Sequence, residues 1–225
     1  YYGNTFDQVT MLDGQMLHNY SKGEGVLVAV IDAGFQRANN LDVFDSLYAR
    51  DGVLGTYDFV LPGNNVYNEY DHGTYVLSIM AGNQPGQMVG TAPNAMYWLL
   101  RSEDASSEYP VEEDYWIIAA EFADSVGCNV INTSLGYTTF NNPTFNHNYN
   151  EFTGDSIRIS KAANLAVKKG IVVVCAAGNE GNKSWKYISL PSEARDVLSV
   201  GAVNRLKEIA SFSSRGFEDS LLTIK

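Results

Sequence analysis

With 225 residues, 45% of them apolar and 18% charged, the chain can bury most of its apolar surface in one domain and fits no disordered class. A formal charge of −11, with no cluster of Lys and Arg, argues against a phosphate backbone as partner, so no nucleic acid is expected. No apolar run approaches the length of a membrane span, and Tyr1-Tyr2-Gly3-Asn4 lacks the basic and apolar regions of a signal peptide, so an exported protein would have lost its address already.

Asn4 to His18 carries a weak apolar period and reads as a surface helix or turn. Ser21-Lys22-Gly23-Glu24-Gly25 breaks the chain, and Val26-Leu27-Val28-Ala29-Val30-Ile31 is a continuous apolar run, the mark of a strand buried on both faces. It ends in Asp32-Ala33-Gly34. A carboxylate at the carboxyl end of a buried strand stands where open α/β sheets place ligand chemistry, and the competing reading is an Asp that caps the next turn. Asn39 to Gly52 reads as a polar loop with a short apolar patch, Thr56 to Val60 as a second strand, and Pro62-Gly63-Asn64-Asn65 as a break.

From Asp71 to Gly82 a polar cluster joins a segment of helical period, in which Val76, Ile79 and Met80 at i, i+3 and i+4 predict the buried face. Gly73 and Thr74 open that helix with flexible backbone and a cap. His72 then stands where the helix begins, at the edge of the core. It reads either as a functional imidazole or as a solvated turn histidine.

Gly82 to Gln87 is a loop, Gly90 to Ala95 a turn, and Met96 to Leu100 a third strand. Ser102 to Glu113 is acidic and unperiodic, which predicts exposure. Tyr115 to Val126 has helical spacing through Ile118, Phe122 and Val126, and Gly127 ends it. Asn129 to Thr133 is a fourth strand that runs into Ser134-Leu135-Gly136. Thr138 to Asp155 is a long loop of the kind that is usually functional, with His147 read as solvated. Ile157 to Lys169 is a helix with Ile157, Ala162, Leu165 and Ala166 inward and two lysines where cations suit the dipole. Ile171 to Ala177 is a fifth strand, closed by Gly178-Asn179-Glu180-Gly181-Asn182. Asp196 to Val203 is a sixth, and Ile209 to Ser214 one more edge segment. Cys128 and Cys175 lie at opposite ends of their strands, outside the reach of about 7 Å a disulfide needs, so two free thiols are expected. Their number excludes a metal site of cysteine type.

Apolar strands alternating with helices predict an α/β fold of three layers, a mostly parallel central sheet with helices on both faces. Such a sheet presents strand carboxyl ends and helix starts along one rim, which is where Asp32, Asn179 and His72 fall. An imidazole needs a carboxylate to fix its tautomer, and acyl transfer needs a donor aimed at the oxyanion.

Val28-Ala29-Val30-Ile31-Asp32-Ala33-Gly34, His72-Gly73-Thr74, Gly90-Thr91-Ala92-Pro93, Val130 to Gly136, Val173 to Gly181, and Ser199-Val200-Gly201-Ala202-Val203 followed by Ser211-Phe212-Ser213-Ser214 resemble, in order and spacing, the subtilisin-like serine proteases. Each motif alone is weak, but the ordered set is specific and covers nearly the whole chain. The resemblance implies Asp32 as orienting acid, His72 as general base and Asn179 as side-chain oxyanion donor. It implies further that Ser134-Leu135-Gly136 pairs with an extended peptide substrate. Ala176, Ala177 and Gly178 would wall the pocket for the residue before the scissile bond.

No cofactor and no metal are expected, and the loop Asn83 to Met88 is short for the calcium-binding loop of some family members. The family often has a second histidine where Tyr75 stands, and Leu77-Ser78 replaces its small residues. The family's nucleophile sits in a Gly-Thr-Ser motif downstream of Ser211 to Ser214, and no Gly-Thr-Ser occurs here. Ser213 and Ser214 are poor substitutes, and the tail from Glu218 to Lys225 does not resemble the family. The expectation is therefore one subtilase-like catalytic domain over residues 1–225, incomplete at its C-terminus and inactive alone. Its parent would be a serine endopeptidase, secreted or in the cell envelope. Its partners would be a polypeptide substrate and a propeptide or the segment that carries the serine. The alternative is a subtilase-like module that binds peptides without cutting them. A nucleotide-binding domain fits least, because no Gly-rich fingerprint follows the first strand.

Overall fold

The computed structural model describes residues 1–216; the tail from Glu218 lies outside them. Two short helices, α1 (Phe6–Met11) and α2 (Gly14–Leu17), precede β1 (Leu27–Asp32). Then come α3 (Asp45–Ala49), β2 (Val53–Asp58), α4 (His72–Ala81), the two-residue strands β3 (Asn83–Gln84) and β4 (Met88–Val89), and β5 (Met96–Arg101). The rest is α5 (Val111–Ser125), β6 (Val130–Thr133), α6 (Arg158–Lys168), β7 (Val172–Ala176) and β8 (Leu198–Val200). Six strands pair in parallel in the order β2-β5-β1-β6-β7-β8, and β3 pairs with β4 as a separate small hairpin. This is the expected three-layer α/β fold.

Every residue of β1 is buried, because it lies inside the sheet and both of its faces are covered. Side chains of a strand alternate in direction, and the two halves of the core divide on that alternation. Ala29 and Ile31 pack with Trp116, Ala119, Ile159 and Ala163 from α5 and α6. Val28 and Val30 pack with Leu47, Leu77 and Ala81 from α3 and α4. Asp32, next in step with Val28 and Val30, therefore belongs to the face on which α4 lies.

The helices are where predicted, and Val76 and Met80 of α4 and Ala162 and Ala166 of α6 pack on the core as expected, but the most buried stripe of each helix is shifted. In α4 the buried residues are Gly73, Thr74, Leu77 and Ala81, while Ile79 is 47% exposed. In α5 they include Trp116, Ala119, Ala120 and Ala123 in place of Ile118, and in α6 Ile159, Ala163 and Ala166 in place of Leu165. Alanine and glycine let each helix lie close to the sheet, while Leu77, Trp116 and Ile159 fill the core beside them.

Other departures share a cause, burial that only the tertiary fold creates. Asn39 to Gly52 contains α3, with Phe44 and Leu47 fully buried. β2 begins three residues before the predicted strand, and Gly82 to Gln87 includes β3. Ser102, Glu112 and Glu113, expected to be exposed, are buried. His147 is not solvated, for its ring lies between Glu113 (2.6 Å) and Glu151 (3.2 Å). The sixth strand is only Leu198–Val200, and Ile209 to Ser214 forms no strand beyond a bridge between Val203 and Ile209. Both cysteines are buried and neither is in a disulfide.

Candidate active site

Asp32 closes β1 with its side chain fully buried on the α4 side. His72 is the first residue of α4, and its Nδ1 lies 2.7 Å from Asp32 Oδ1. The same oxygen accepts the Ala33 amide at 2.8 Å. Two glycines make the approach possible. Gly73 donates its amide to Gly34 O at 2.9 Å, and a Cβ on it would stand 2.5 Å from that oxygen and 3.0 Å from Asp32 Cβ. Gly34, at φ +151°, passes so close to Tyr70 that a Cβ would meet its backbone at 2.6 Å. Gly73 is thus a contact point between helix and strand. Thr74 is not a cap; its hydroxyl donates to Gln36 O.

With Nδ1–H given to Asp32, the lone pair of Nε2 points away from the carboxylate, and the imidazole is 43% exposed. Nε2 has no hydrogen-bond partner among the described residues. The hydrogen bond that His72 donates to Asp32 holds the His72 pKa above its ordinary value against the opposing effect of burial, with smaller help from the Asp32, Glu103 and Asp71 charges. Burial pushes the Asp32 carboxyl up from the usual carboxylate range, and its bonds to His72 and Ala33 pull back.

Beyond β6, residues 134–136 run free of strand structure until Tyr137 pairs with Leu190. This stretch is the wall between two hollows. One is lined by Ala176, Gly178, Asn179, Lys183 and Ser189, the other by Ala33, Tyr70, His72, Glu103 and Glu108, and Ser134, Leu135 and Gly136 border both. Ala177 lines neither; it is buried, its amide bonded to Val200 O and its carbonyl to the Ser189 amide. Asn179 is exposed on a turn that residues 211–214 brace from behind. Gly181 N donates to Phe212 O, Ser214 N to Gly178 O, and Glu180 N to Ser214 Oγ. Ser213 Oγ accepts from Ala202 N. Ser214 thus holds the Asn179 turn, while the Ser213 hydroxyl is taken up by the Ala202 amide just after β8.

Tyr70, Glu103, Glu108 and Ser189 escape the sequence reading. For the two glutamates a signal exists, since they follow the carboxyl end of β5 on the same rim as Asp32. Glu103 is pushed up to about 8, by burial first and then by Glu108, Glu112 and Asp32.

A parallel α/β sheet whose rim pairs a buried carboxylate with an imidazole beside a cleft is an arrangement suited to acyl transfer. The chain belongs to the subtilase family, whose sequence profile matches residues 23–222. That match runs into the tail, where the motifs alone show no resemblance. Subtilisin E of Bacillus subtilis (strain 168) is 33% identical over 217 residues, covering 93% of this chain and 49% of its own length. Thermitase of Thermoactinomyces vulgaris is 30% identical, over 87% of this chain and 61% of its own. The chain spans about half the length of subtilisin E. Among solved structures, MycP1 with its N-terminal propeptide removed aligns at TM-score 0.66 and 26% identity, over 92% of this chain and 66% of that one. The prenylagaramide maturation protease PagA aligns at TM-score 0.67 and 24% identity, over 91% and 64%, and shares the fold.

Proposed function

We propose that the protein carrying this chain is a serine endopeptidase, with Asp32 as orienting acid, His72 as general base and Asn179 as oxyanion donor. The observation that carries the reading is the 2.7 Å bond between Asp32 Oδ1 and His72 Nδ1, which leaves Nε2 open to the cleft. Asp32 fixes the tautomer and stabilises the imidazolium. Nε2 takes the proton of an attacking hydroxyl and returns it to the leaving amine. Ser134, Leu135 and Gly136 align an extended peptide by strand addition, with Ala176 and Gly178 flanking the side chain before the scissile bond.

The hydroxyl itself is proposed to come from outside these 225 residues, since no Gly-Thr-Ser occurs in them, Ser214 braces the Asn179 turn and the Ser213 hydroxyl is taken up by the Ala202 amide. Residues 1–225 are then one catalytic domain completed by further chain, inactive alone. Kinship with relatives whose names state the activity, the minor extracellular protease Epr and the major intracellular serine protease of Bacillus subtilis (strain 168), supports the chemistry. We propose action outside the cytoplasm or in the cell envelope; relatives from Bacillus subtilis include both a named extracellular protease and an intracellular one.

A fluorophosphonate probe tests this. The intact polypeptide is expected to label at a serine beyond residue 225, and His72→Ala to abolish labelling. No labelling of the intact polypeptide would overturn the peptidase reading, and labelling of residues 1–225 alone would place the nucleophile within them.

A further inference from the structure

The hollow beside His72 is unusual in what it leaves unsatisfied. Glu103 and Glu108 line it, and behind them Glu112, at 2% exposure, accepts the amides of Asp104 and Tyr109. The Tyr137 hydroxyl, on a side chain 1% exposed, lies in the electrostatic reach of Glu103, Glu108 and Glu112 and has no hydrogen-bond partner. Glu108 Oε2 and the hydroxyl of fully buried Ser102 likewise lack partners. No Lys or Arg of the described residues pairs with Glu103, Glu108 or Glu112. The nearby Arg101 is engaged by Asp58 and by Ala33 O.

A buried polar atom left without a partner costs roughly 1–3 kcal/mol, and carboxylates crowded together resist ionising, so a ligand that brings a donor to Glu108 Oε2 and positive charge to Glu103 and Glu108 answers both. A metal ion is a poor candidate, because the described residues contain no group of three His, Cys, Asp or Glu arranged to hold one. An extended peptide on residues 134–136 brings the right chemistry. Successive side chains of such a strand point to opposite sides, so a residue in the Asn179 hollow puts its neighbour toward His72, Glu103 and Glu108.

We propose that this hollow selects a lysine or arginine side chain of the peptide substrate, at the second residue on the amino-terminal side of the cleaved bond. The inference rests on the peptidase reading for its substrate, but the socket can be tested without it.

The intact polypeptide is assayed with fluorogenic peptides that carry Arg, Lys, Leu or Glu at each of the four positions before the bond. The expected result is a kcat/KM roughly tenfold or more higher for Arg and Lys than for Leu at the second position. Glu103→Gln and Glu108→Gln should each shrink that Arg-to-Leu ratio, whereas a folding defect would lower both substrates in parallel. A ratio near one at the second position, or one unchanged in both variants, would overturn the proposal. Should the polypeptide cleave nothing, the peptidase reading fails by itself. The hollow is then judged by fluorescence anisotropy with a labelled Arg-containing tetrapeptide and its norleucine counterpart. Tighter binding of the Arg peptide, weakened by Glu108→Gln, supports the inference, and equal affinity overturns it.

Discussion

In the proposed mechanism His72 works as a proton acceptor whose affinity is set from below by Asp32. Because the Asp32 hydrogen bond raises the His72 pKa, the neutral base is lost as pH falls through a value above the ordinary 6.5. Asp32→Asn should move the acid limb of the kcat/KM profile of the intact protein to lower pH and cut kcat roughly 10⁴-fold; an unmoved limb would mean that another group sets it. Gly73→Ala tests the approach of helix to strand. Its Cβ would meet Gly34 O at 2.5 Å, so a loss of about 1–3 kcal/mol in denaturant unfolding is expected, with kcat reduced as the pair is forced apart. Asp32 and His72 were legible because each interrupts a regular pattern, one at the end of an apolar run and one at the start of a helical period. Glu103 and Glu108 were passed over despite their place after β5, because acidity without period predicts a solvated face, and the hollow they share with residues 134–136 exists only in the folded chain.

At the level of elements, Arg101 ties three strand ends together. From the end of β5 it donates to Asp58 on β2 at 2.9 Å and to Ala33 O after β1 at 3.1 Å, and it is nearly buried. Arg101→Met leaves the fully buried Asp58 carboxylate without its charge partner, and should cost roughly 3–5 kcal/mol in urea unfolding. A cost under 1 kcal/mol would show that the rim holds without it. The segment after β5 makes an opposite contribution. Glu103, near 4.5 in a free chain, is pushed up to about 8, so the folded state holds a proton that the unfolded state releases between those values. Stability from this group is thus full at low pH and lost as pH rises through that window. Thermal melts should show Glu103→Gln close to the parent at pH 5 and higher in Tm at pH 8; equal differences at both would rule out the titration. The longer strands and helices were legible, since apolar runs and 3.6-residue periods are local, while α3 and β3 were not. The inward stripes were legible only in part, because Ile79, Ile118 and Leu165 carry the apolar period yet are turned outward by the way each helix docks.

Across the whole molecule, charge and exposed apolar surface oppose each other. The sheet ends at β8, whose three residues pair with β7 alone among the described strands. Around that edge Val172, Leu198, Val200, Val203, Ile209 and Phe212 are each at least 45% exposed. An apolar edge with unpaired backbone is a template for association with another copy, and a net charge of −11 keeps copies apart. Salt separates the two effects, since the screening length falls from about 10 Å at 0.1 M to about 3 Å at 1 M while apolar attraction persists. The polypeptide of residues 1–225 is therefore expected to be monomeric by light scattering at low salt and to associate near 1 M. Val200→Lys, which puts a charge on the strip without touching the Asp32–His72 pair, should keep it monomeric at both. If the parent stays monomeric at 1 M, the edge is not the template argued here. If it associates and the lysine variant associates equally, the contact lies on another face of the molecule.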